Sequence, residues 1–384
     1  MTLHGDWNGS GHKVTVEVEN GRIVDVDTTK AVPPDAILAP GFFDMQVNGY
    51  GGVDYSSPDL TSKHMATLTS RLFKAGVTRH VPTIVTNSRE RIRTNLGTIS
   101  KAVSENEKLR RAIPAVHVEG PYISEEDGPR GAHDAQYVRN PDIDELWEWN
   151  EAADGLLRMV TIAPERPGAV EFIEKAAEAG FIVALGHTGA PPETIRGAVQ
   201  AGARMSTHLG NGSHGTIPRL RNYLWEQLAA DELSASIIAD GFHLPPSVMK
   251  VFARAKGLER LILVSDVGPM GGLEPGRHQW GNIEVDVYKD GHLGLANTEF
   301  LAGAGHLLDR AVAQFVKATG VSLQQALQLC TLNPGQVLGI DSESKNSNLP
   351  SINAPANFVQ FELQNGADII DVQAVVNGSE TWVK

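Results

Sequence analysis

Short runs of apolar residues recur along the middle of the chain and alternate with stretches of helical spacing. These runs cover residues 37–44, 77–85, 113–119, 159–163, 181–187, 204–208, 236–240 and 261–266. Continuous apolar strands that alternate with helices predict a parallel sheet that is buried on both faces. Because there are eight such units, we expect a closed (β/α)8 TIM-like barrel in preference to an open, doubly wound sheet.

Helices and hairpins are predicted around these strands. Helical segments end on a glycine, as many helices do, over residues 169–180, 192–202, 246–257 and 305–320. At both ends of the chain the pattern changes to strand alternation around hairpin signals, at 20–21, at 364–366 and, in the long last loop, at 288–291. We therefore expect an α/β protein with a barrel over residues 41–344 and a small β-sandwich domain built from residues 1–40 and 345–384.

Composition narrows the class of protein further. The 384 residues fit a barrel of about 250 residues with a smaller domain attached. A net charge of -13 without a cluster of Lys and Arg argues against nucleic acid as a partner. We see no apolar stretch of the kind found in a signal peptide or membrane span, and we expect a cytoplasmic protein with no membrane partner. The single cysteine, Cys330, excludes an intrachain disulfide and is interpreted as a small buried hydrophobe.

Several of the apolar runs end in an acidic residue or a histidine, among them Glu119, His187, His208 and Asp266. The carboxyl ends of barrel strands open onto one face, so these side chains are expected to converge. Two imidazoles and a carboxylate are typical of an open catalytic zinc-type site, and Asp266 beside it would act as general base. Each residue alone also fits a structural role, such as a hydrogen-bonded histidine, a salt bridge or a helix cap, whereas their joint placement favours a metal site.

Short segments in the same order resemble the N-acetylglucosamine-6-phosphate deacetylases of the amidohydrolase superfamily, over nearly the whole chain. They are residues 40–49 (PGFFDMQVNG), 117–122 (HVEGPY), 131–133 (GAH), 186–188 (GHT), 207–209 (THL), 238–243 (IADGFH), 264–266 (VSD) and 301–303 (LAG). The resemblance implies hydrolysis of the N-acetyl amide of N-acetylglucosamine-6-phosphate, a linear amide, to glucosamine-6-phosphate and acetate. It also implies a homodimer.

The resemblance assigns roles to individual residues. Glu119, His187 and His208 would be the metal ligands and Asp266 the catalytic acid–base. His243 would donate to the developing oxyanion or hold a sugar hydroxyl, with a capping role before Leu244 as the alternative. The substrate-binding positions that it implies are Ala132, His133, Asn211, Gly212, Arg219, Asp240, His243, Leu301, Ala302 and Gly303.

The first-strand segment bears on the number of metal ions. Most amidohydrolases carry His-Xaa-His there, and many binuclear ones add a lysine at the end of strand four. This chain has Gln46 and Asn48 instead, and strand four ends in Glu165. We therefore expect one divalent ion, zinc in the first place, with iron, cobalt or manganese as alternatives. Gln46 would orient a water on the metal or merely satisfy backbone groups at the barrel mouth.

The phosphate site departs from the family pattern. The family's Gly-Arg-Glu-Pro-Gly stretch is absent, although Arg219 falls at the expected distance from Asn211. Arg221 is the alternative, and Arg130 with His133 adds positive potential. Four alternative functions therefore stay open beside deacetylation of the 6-phosphate substrate. They are deacetylation of an unphosphorylated N-acetyl amino sugar, hydrolysis of a related amide, the activity of another amidohydrolase such as a dihydroorotase or an N-acyl-amino-acid deacylase, and binding by a non-catalytic barrel.

Overall fold

The computed structural model describes residues 1–281, 283–298, 301–340, 349–364 and 369–384. The strands are, in chain order, β1 (Thr2–Trp7), β2 (Lys13–Glu19), β3 (Arg22–Asp27), β4 (Ala36–Pro40), β5 (Phe42–Val47), β6 (Gly49–Tyr50), β7 (Val53–Asp54), β8 (Val77–Val85), β9 (Val116–Glu119), β10 (Leu157–Ile162), β11 (Ile182–Leu185), β12 (Met205–Ser206), β13 (Ser234–Ile238), β14 (Leu261–Val264), β15 (Gly276–Trp280), β16 (Ile283–Val287), β17 (Leu293–Leu295), β18 (Asn357–Gln364), β19 (Ile369–Asn377) and β20 (Glu380–Val383). The helices are α1 (Ser62–Lys74), α2 (Arg89–Glu105), α3 (Glu107–Ala112), α4 (Ile143–Ala152), α5 (Ala169–Glu178), α6 (Pro192–Gln200), α7 (Tyr223–Ala229), α8 (Pro246–Lys256), α9 (Leu308–Thr319), α10 (Leu323–Gln328) and α11 (Leu332–Val337), with 3₁₀ turns at Ala135–Tyr137 and Leu258–Arg260.

Eight strands form the parallel barrel that the sequence predicts. Their order is β5, β8, β9, β10, β11, β12, β13 and β14, which is the order along the chain. Helices between consecutive strands cover the outside of the barrel, and most of the buried apolar side chains lie in that layer. A separate cluster, which includes Phe43, Met159 and Ile262, fills the interior of the barrel. All eight carboxyl ends therefore open onto one mouth.

The barrel closes between β14 and β5 without a continuous ladder. Near the mouth, a parallel bridge joins Val47 to Val267. Deeper in the barrel, the turn after α10 takes the place of direct pairing. The Cys330 carbonyl accepts a hydrogen bond from the Phe43 N–H of β5 at 2.7 Å, and the preceding carbonyl bonds to β14. Cys330 is thus a buried residue whose backbone closes the barrel.

The first predicted strand, residues 37–44, is wrong as a single element. The structure divides it at Gly41 into β4, which belongs to another sheet, and β5, which begins the barrel. A Cβ at Gly41 would lie 2.2 Å from Thr78 Oγ1 and 2.4 Å from Asn357 Oδ1. The chain therefore passes between the two sheets at a point where only glycine fits.

The two ends of the chain build one separate seven-stranded sheet in the order β20, β19, β18, β4, β1, β2, β3. Its first hairpin turns at Asn20 and Gly21, both at positive φ, as a two-residue type I′ turn requires. The second predicted hairpin joins β18 to β19, and Gln364 pairs with Ile369 at its turn end. Residues 365–368, which connect the two strands, lie outside the described residues. The sheet packs on the barrel, with the Phe361 ring 6.2 Å from that of Phe42. The domain boundaries themselves stay a prediction.

The predicted helices are confirmed as α5, α6, α8 and α9. Each is followed within two residues by its predicted glycine, which has positive φ, as helix ends often require. The last loop forms a small antiparallel sheet of β15, β16 and β17. The turn at 301–303 joins this sheet, because the Ala302 N–H donates to the Leu293 carbonyl at 3.1 Å. None of the helices in the described ranges is long and apolar enough to span a membrane.

Candidate active site

Four side chains from strand ends converge at the barrel mouth: Glu119, His187, His208 and Asp266. Glu119 is the last residue of β9, and the other three follow the ends of β11, β12 and β14 by two residues. All four are buried, with at most 6% of their surface exposed. The Nε2 atoms of His208 and His187 lie 2.9 Å and 3.3 Å from Glu119 Oε1, and 3.1 Å from each other. Glu119 and His208, which are 89 positions apart in the sequence, thus lie in direct contact.

The spacing of these atoms fits a divalent metal ion. A tetrahedral zinc ion with bonds of about 2.0–2.1 Å places neighbouring ligand atoms about 3.3 Å apart. The observed separations between the two Nε2 atoms and the carboxylate oxygen are 2.9–3.3 Å. Glu119, His187 and His208 are therefore arranged so that all three could bind one ion.

His133 also approaches this group. Its Nε2 atom lies 3.2 Å from His187 Nε2 and 4.0 Å from Glu119 Oε2, and the potential ligand atoms of His133, His187 and Glu119 all lie within 4.8 Å of one another. Its Nδ1 atom is 2.8 Å from Thr86 Oγ1, which fixes the ring. The sequence placed His133 among the substrate contacts only. The structure places it directly against the metal group.

The orientation of His187 is set by a backbone carbonyl. His187 Nδ1 lies 2.8 Å from the carbonyl oxygen of Pro129. A carbonyl only accepts hydrogen bonds, so Nδ1 must carry the proton and Nε2 presents its lone pair to the metal group. Sequence reasoning missed Pro129, because its contribution comes from the main chain and depends on the fold of the loop.

Glu119 and His208 shift each other's pKa in the metal group. Burial acts to raise the pKa of Glu119, but its close contacts with His187 and His208 hold that pKa well below its usual range. Burial acts to lower the pKa of His208, but the hydrogen bond and charge of Glu119 outweigh it and raise that pKa to about 9. Glu119 is consequently ionised at neutral pH and supplies a buried negative charge between the two histidine rings, and His208 must release its proton to bind a metal ion.

Asp266 lies beside the metal group with its carboxylate held by Asn48. Asn48 Nδ2 donates to Asp266 Oδ1 at 2.8 Å, and the Asp266 N–H donates to the Gln46 carbonyl at 3.0 Å. Burial is the largest cause that raises the pKa of Asp266, to about 6, with the charge of His208 opposing it. The Gln46 side chain donates to Glu119 Oε1 at 3.0 Å. The two amides of the first strand therefore orient the carboxylates of the site.

Three of these residues have left-handed backbone conformations. His187, His208 and Asp266 have φ values of 50°, 28° and 51°. Such conformations cost about 1–3 kcal/mol each in a non-glycine residue and cluster at functional sites. The other described non-glycine residues with positive φ are all Asn or Asp, whose short polar side chains tolerate this region.

The predicted substrate residue His243 is paired with Asp240. Its Nδ1 atom lies 2.8 Å from Asp240 Oδ2, and Asp240 Oδ1 accepts the backbone N–H groups of Phe242 and His243. Burial acts to raise the pKa of Asp240, but these bonds lower it. Neither residue caps the following helix, since α8 begins after Pro245 with no side-chain cap; the Asp240 carboxylate instead closes a turn and orients the His243 ring.

The other predicted substrate positions lie around the mouth. A Cβ at Gly212 would lie 2.6 Å from His187 Nδ1, and the neighbouring Asn211 N–H donates to the His208 carbonyl. Ala132 is exposed beside His133. Leu301 bridges to β17, and the other two residues of the 301–303 turn follow it on the same small sheet.

Within the described part of the chain, Arg219 has no hydrogen bond or ion pair with this group. It lies on an exposed loop, and no hydrogen bond or ion pair of its guanidinium joins it to another residue within the described ranges. Arg221 is 82% exposed in its side chain and 3.6 Å from Glu193. Arg130 pairs with Asp127 in its own loop.

The barrel, its mouth and the buried Glu-His-His group together define a metal-dependent hydrolase of the amidohydrolase class. The model of the Amidohydrolase family matches residues 37–345. The chain is 36% identical, over 359 residues, to the N-acetylglucosamine-6-phosphate deacetylase of Bos taurus, which covers 90% of this chain and 83% of that protein. It is 30% identical to the Vibrio furnissii protein of the same name, over all of this chain and 92% of that one.

A crystal structure of the Mycobacterium smegmatis N-acetyl-D-glucosamine-6-phosphate deacetylase has a TM-score of 0.84 and 27% identity, with both chains covered in full. An Asp-to-Ala mutant of that protein, in complex with N-acetyl-D-glucosamine-6-phosphate, has a TM-score of 0.83 and 28% identity over 97% of this chain and 95% of that one. The chain belongs to the N-acetylglucosamine-6-phosphate deacetylases of the amidohydrolase family.

Proposed function

We propose that this chain hydrolyses the N-acetyl amide of N-acetylglucosamine-6-phosphate to glucosamine-6-phosphate and acetate. The observation that carries the proposal is the convergence of Glu119, His187 and His208 beside Asp266, whose carboxylate is held by Asn48. The names of the relatives support the substrate, as does the bound molecule in the M. smegmatis mutant.

We propose one divalent ion, zinc in the first place, held by Glu119, His187 and His208. When bound, it lowers the pKa of a water and polarises the acetyl carbonyl. The amides of Gln46 and Asn48 are poor metal ligands, and both are engaged with carboxylates, which supports a single ion.

The residues of the chain supply the proton transfers. Asp266 accepts the proton of the attacking water and then delivers it to the departing amine, a task suited to a carboxyl group whose pKa burial raises to about 6. His243, oriented by Asp240, donates to the developing oxyanion or to a sugar hydroxyl. The left-handed Asp266 backbone, fixed by the Gln46 carbonyl, keeps the base in place before substrate arrives.

The experiment compares acetate release from N-acetylglucosamine-6-phosphate, N-acetylmannosamine-6-phosphate and unphosphorylated N-acetylglucosamine, with metal content measured on the same preparation. We expect the first substrate to be preferred and one ion per chain. The exposed position of Arg219 favours the unphosphorylated sugar as second candidate, and equal rates on both glucosamine substrates would select it. No acetate release from any of the three would contradict the deacetylase assignment.

The homodimeric state and the cytoplasmic location of this chain stay predictions.

A further inference from the structure

A second polar cluster, outside the metal group, joins two loops of the barrel mouth. It consists of Glu126, His214 and Tyr223, and we call it the His214 clamp. His214 Nε2 lies 2.7 Å from Glu126 Oε2. The Tyr223 hydroxyl accepts the His214 backbone N–H at 2.9 Å and lies 3.2 Å from His214 Nδ1.

These contacts fix the His214 ring. Because the Tyr223 oxygen already accepts one bond, its proton is available to His214 Nδ1, which leaves the Nε2 proton for the Glu126 carboxylate. Tyr223 is 5% exposed and is the first residue of α7, where the Asn222 side chain caps the helix. One end of the clamp is therefore anchored in the barrel shell.

Two glycines let the clamp approach the metal group closely. A Cβ at Gly189, two residues after His187, would lie 2.7 Å from His214 Cε1. A Cβ at Gly128 would lie 3.1 Å from His214 Cα. The His214 residue thus packs directly on the backbone that follows His187 and on the loop that contains Glu126.

The loop that the clamp holds carries two groups of the site. Residues 124–133 include Pro129, whose carbonyl orients His187, and His133, which lies against the same imidazole. The Glu126 carbonyl accepts the Arg130 N–H at 2.9 Å, so the clamp residue is also part of the turn that places Pro129.

We propose that Glu126, His214 and Tyr223 are positioning residues of the active site, because they fix the loop from which Pro129 and His133 reach the metal group. The proposal rests on the proposed function for the metal. The alternative is that Glu126 and His214 form an ordinary exposed ion pair, since the Glu126 side chain is 69% exposed, and such pairs contribute little to stability. An ordinary pair would affect neither metal retention nor the order of the loop.

The first test is the rate at which a chelator removes zinc from the zinc-loaded full-length protein. Partners that orient a metal ligand change metal affinity by about 10–100-fold, so we expect Glu126→Ala and His214→Ala to lose zinc about tenfold faster than the unchanged protein. Glu126→Gln keeps a hydrogen bond to His214 and should be close to the unchanged protein. Asp127→Ala is the matched control, because Asp127 is 91% exposed and its ion pair, with Arg130, lies within the same loop.

The second test is hydrogen–deuterium exchange over residues 124–133, which needs no bound metal. We expect faster exchange in Glu126→Ala and His214→Ala than in Asp127→Ala. Tyr223→Phe removes one hydroxyl and keeps the packed ring, so it should show the same effect even if an alanine variant fails to fold.

If Glu126→Ala and His214→Ala lose zinc and exchange amide hydrogens at the same rates as Asp127→Ala, the proposed role of the His214 clamp is overturned. A chain that binds no zinc at all would instead overturn the proposed function, and the exchange comparison would still decide whether the clamp orders the loop.

Discussion

Replacing Asn48 with alanine should move the pH dependence of catalysis in a calculable direction. The change removes the 2.8 Å hydrogen bond from Asn48 Nδ2 to Asp266 Oδ1 at a site where Asn48 is 8% exposed. A hydrogen bond to a charged group contributes about 1.5–3 kcal/mol, and one pKa unit corresponds to about 1.4 kcal/mol. The bond favours the carboxylate, so its loss should raise the pKa of Asp266 by about 1–2 units.

The assay is kcat/KM for acetate release from N-acetylglucosamine-6-phosphate across the pH range 5 to 9. A general base works only when it is deprotonated, so the acidic limb of the profile should move to higher pH by about 1–2 units. The variant should be about 10–100-fold less active on that limb and should approach the unchanged protein at alkaline pH.

Gln46→Ala is the matched control for Asn48→Ala. It removes the hydrogen bond to Glu119 and keeps the Gln46 carbonyl that accepts from the Asp266 N–H. We expect weaker zinc retention and an unmoved acidic limb. The reasoning is refuted if Asn48→Ala leaves the limb in place, or if both variants move it equally.

The other predictions concern the metal, the base, the phosphate and the stability of the fold. His187→Ala or His208→Ala should lose bound metal in elemental analysis, whereas two ions per chain in the unchanged protein would contradict a single site. Asp266→Asn should lower kcat by about 10²–10⁴-fold with metal content and KM nearly unchanged. If Arg219 binds the 6-phosphate, Arg219→Ala should raise KM more than tenfold for the phosphorylated sugar alone, and equal KM values would remove Arg219 from phosphate binding. Burial raises the pKa of Asp44 to about 7, so its stabilising contribution is present below pH 4 and lost as pH rises through 7; chemical unfolding of Asp44→Asn should show this pH dependence reduced.

The positions of polar residues at the ends of predicted strands were sufficient to predict which distant residues converge. Glu119, His187, His208 and Asp266 could be selected because each follows an apolar run, and a parallel barrel leaves its strand ends no other face. Periodicity also located the hairpin at Asn20 and the helix ends, because both depend on local residue types. Hairpins and helix ends can therefore be predicted without knowing which loops contact each other.

Contacts made between loops could not be predicted in this way. The Pro129 carbonyl that orients His187 has no side-chain signature, and the amide of Asn48 gave no sign that it would hold Asp266. The division of the first strand at Gly41 and the closure of the barrel by the Cys330 backbone depend on how two sheets meet. Alternating apolar residues are the same on either side of such a junction, so the pattern alone could not place it.

The strained backbone of the site gives a reason for these contacts. Left-handed φ values at His187, His208 and Asp266 cost about 1–3 kcal/mol each, so each conformation must be held by its surroundings. Each of the three has a main-chain anchor: the His187 carbonyl accepts from Ser124 N–H and the Asp266 N–H donates to a carbonyl of β5, while the His208 N–H donates to a serine hydroxyl of β13. The anchors come from neighbouring strands and loops, so the folded barrel imposes the ligand geometry before metal or substrate binds. A site preorganised in this way spends less binding energy on ordering its ligands, and more of that energy remains for the transition state.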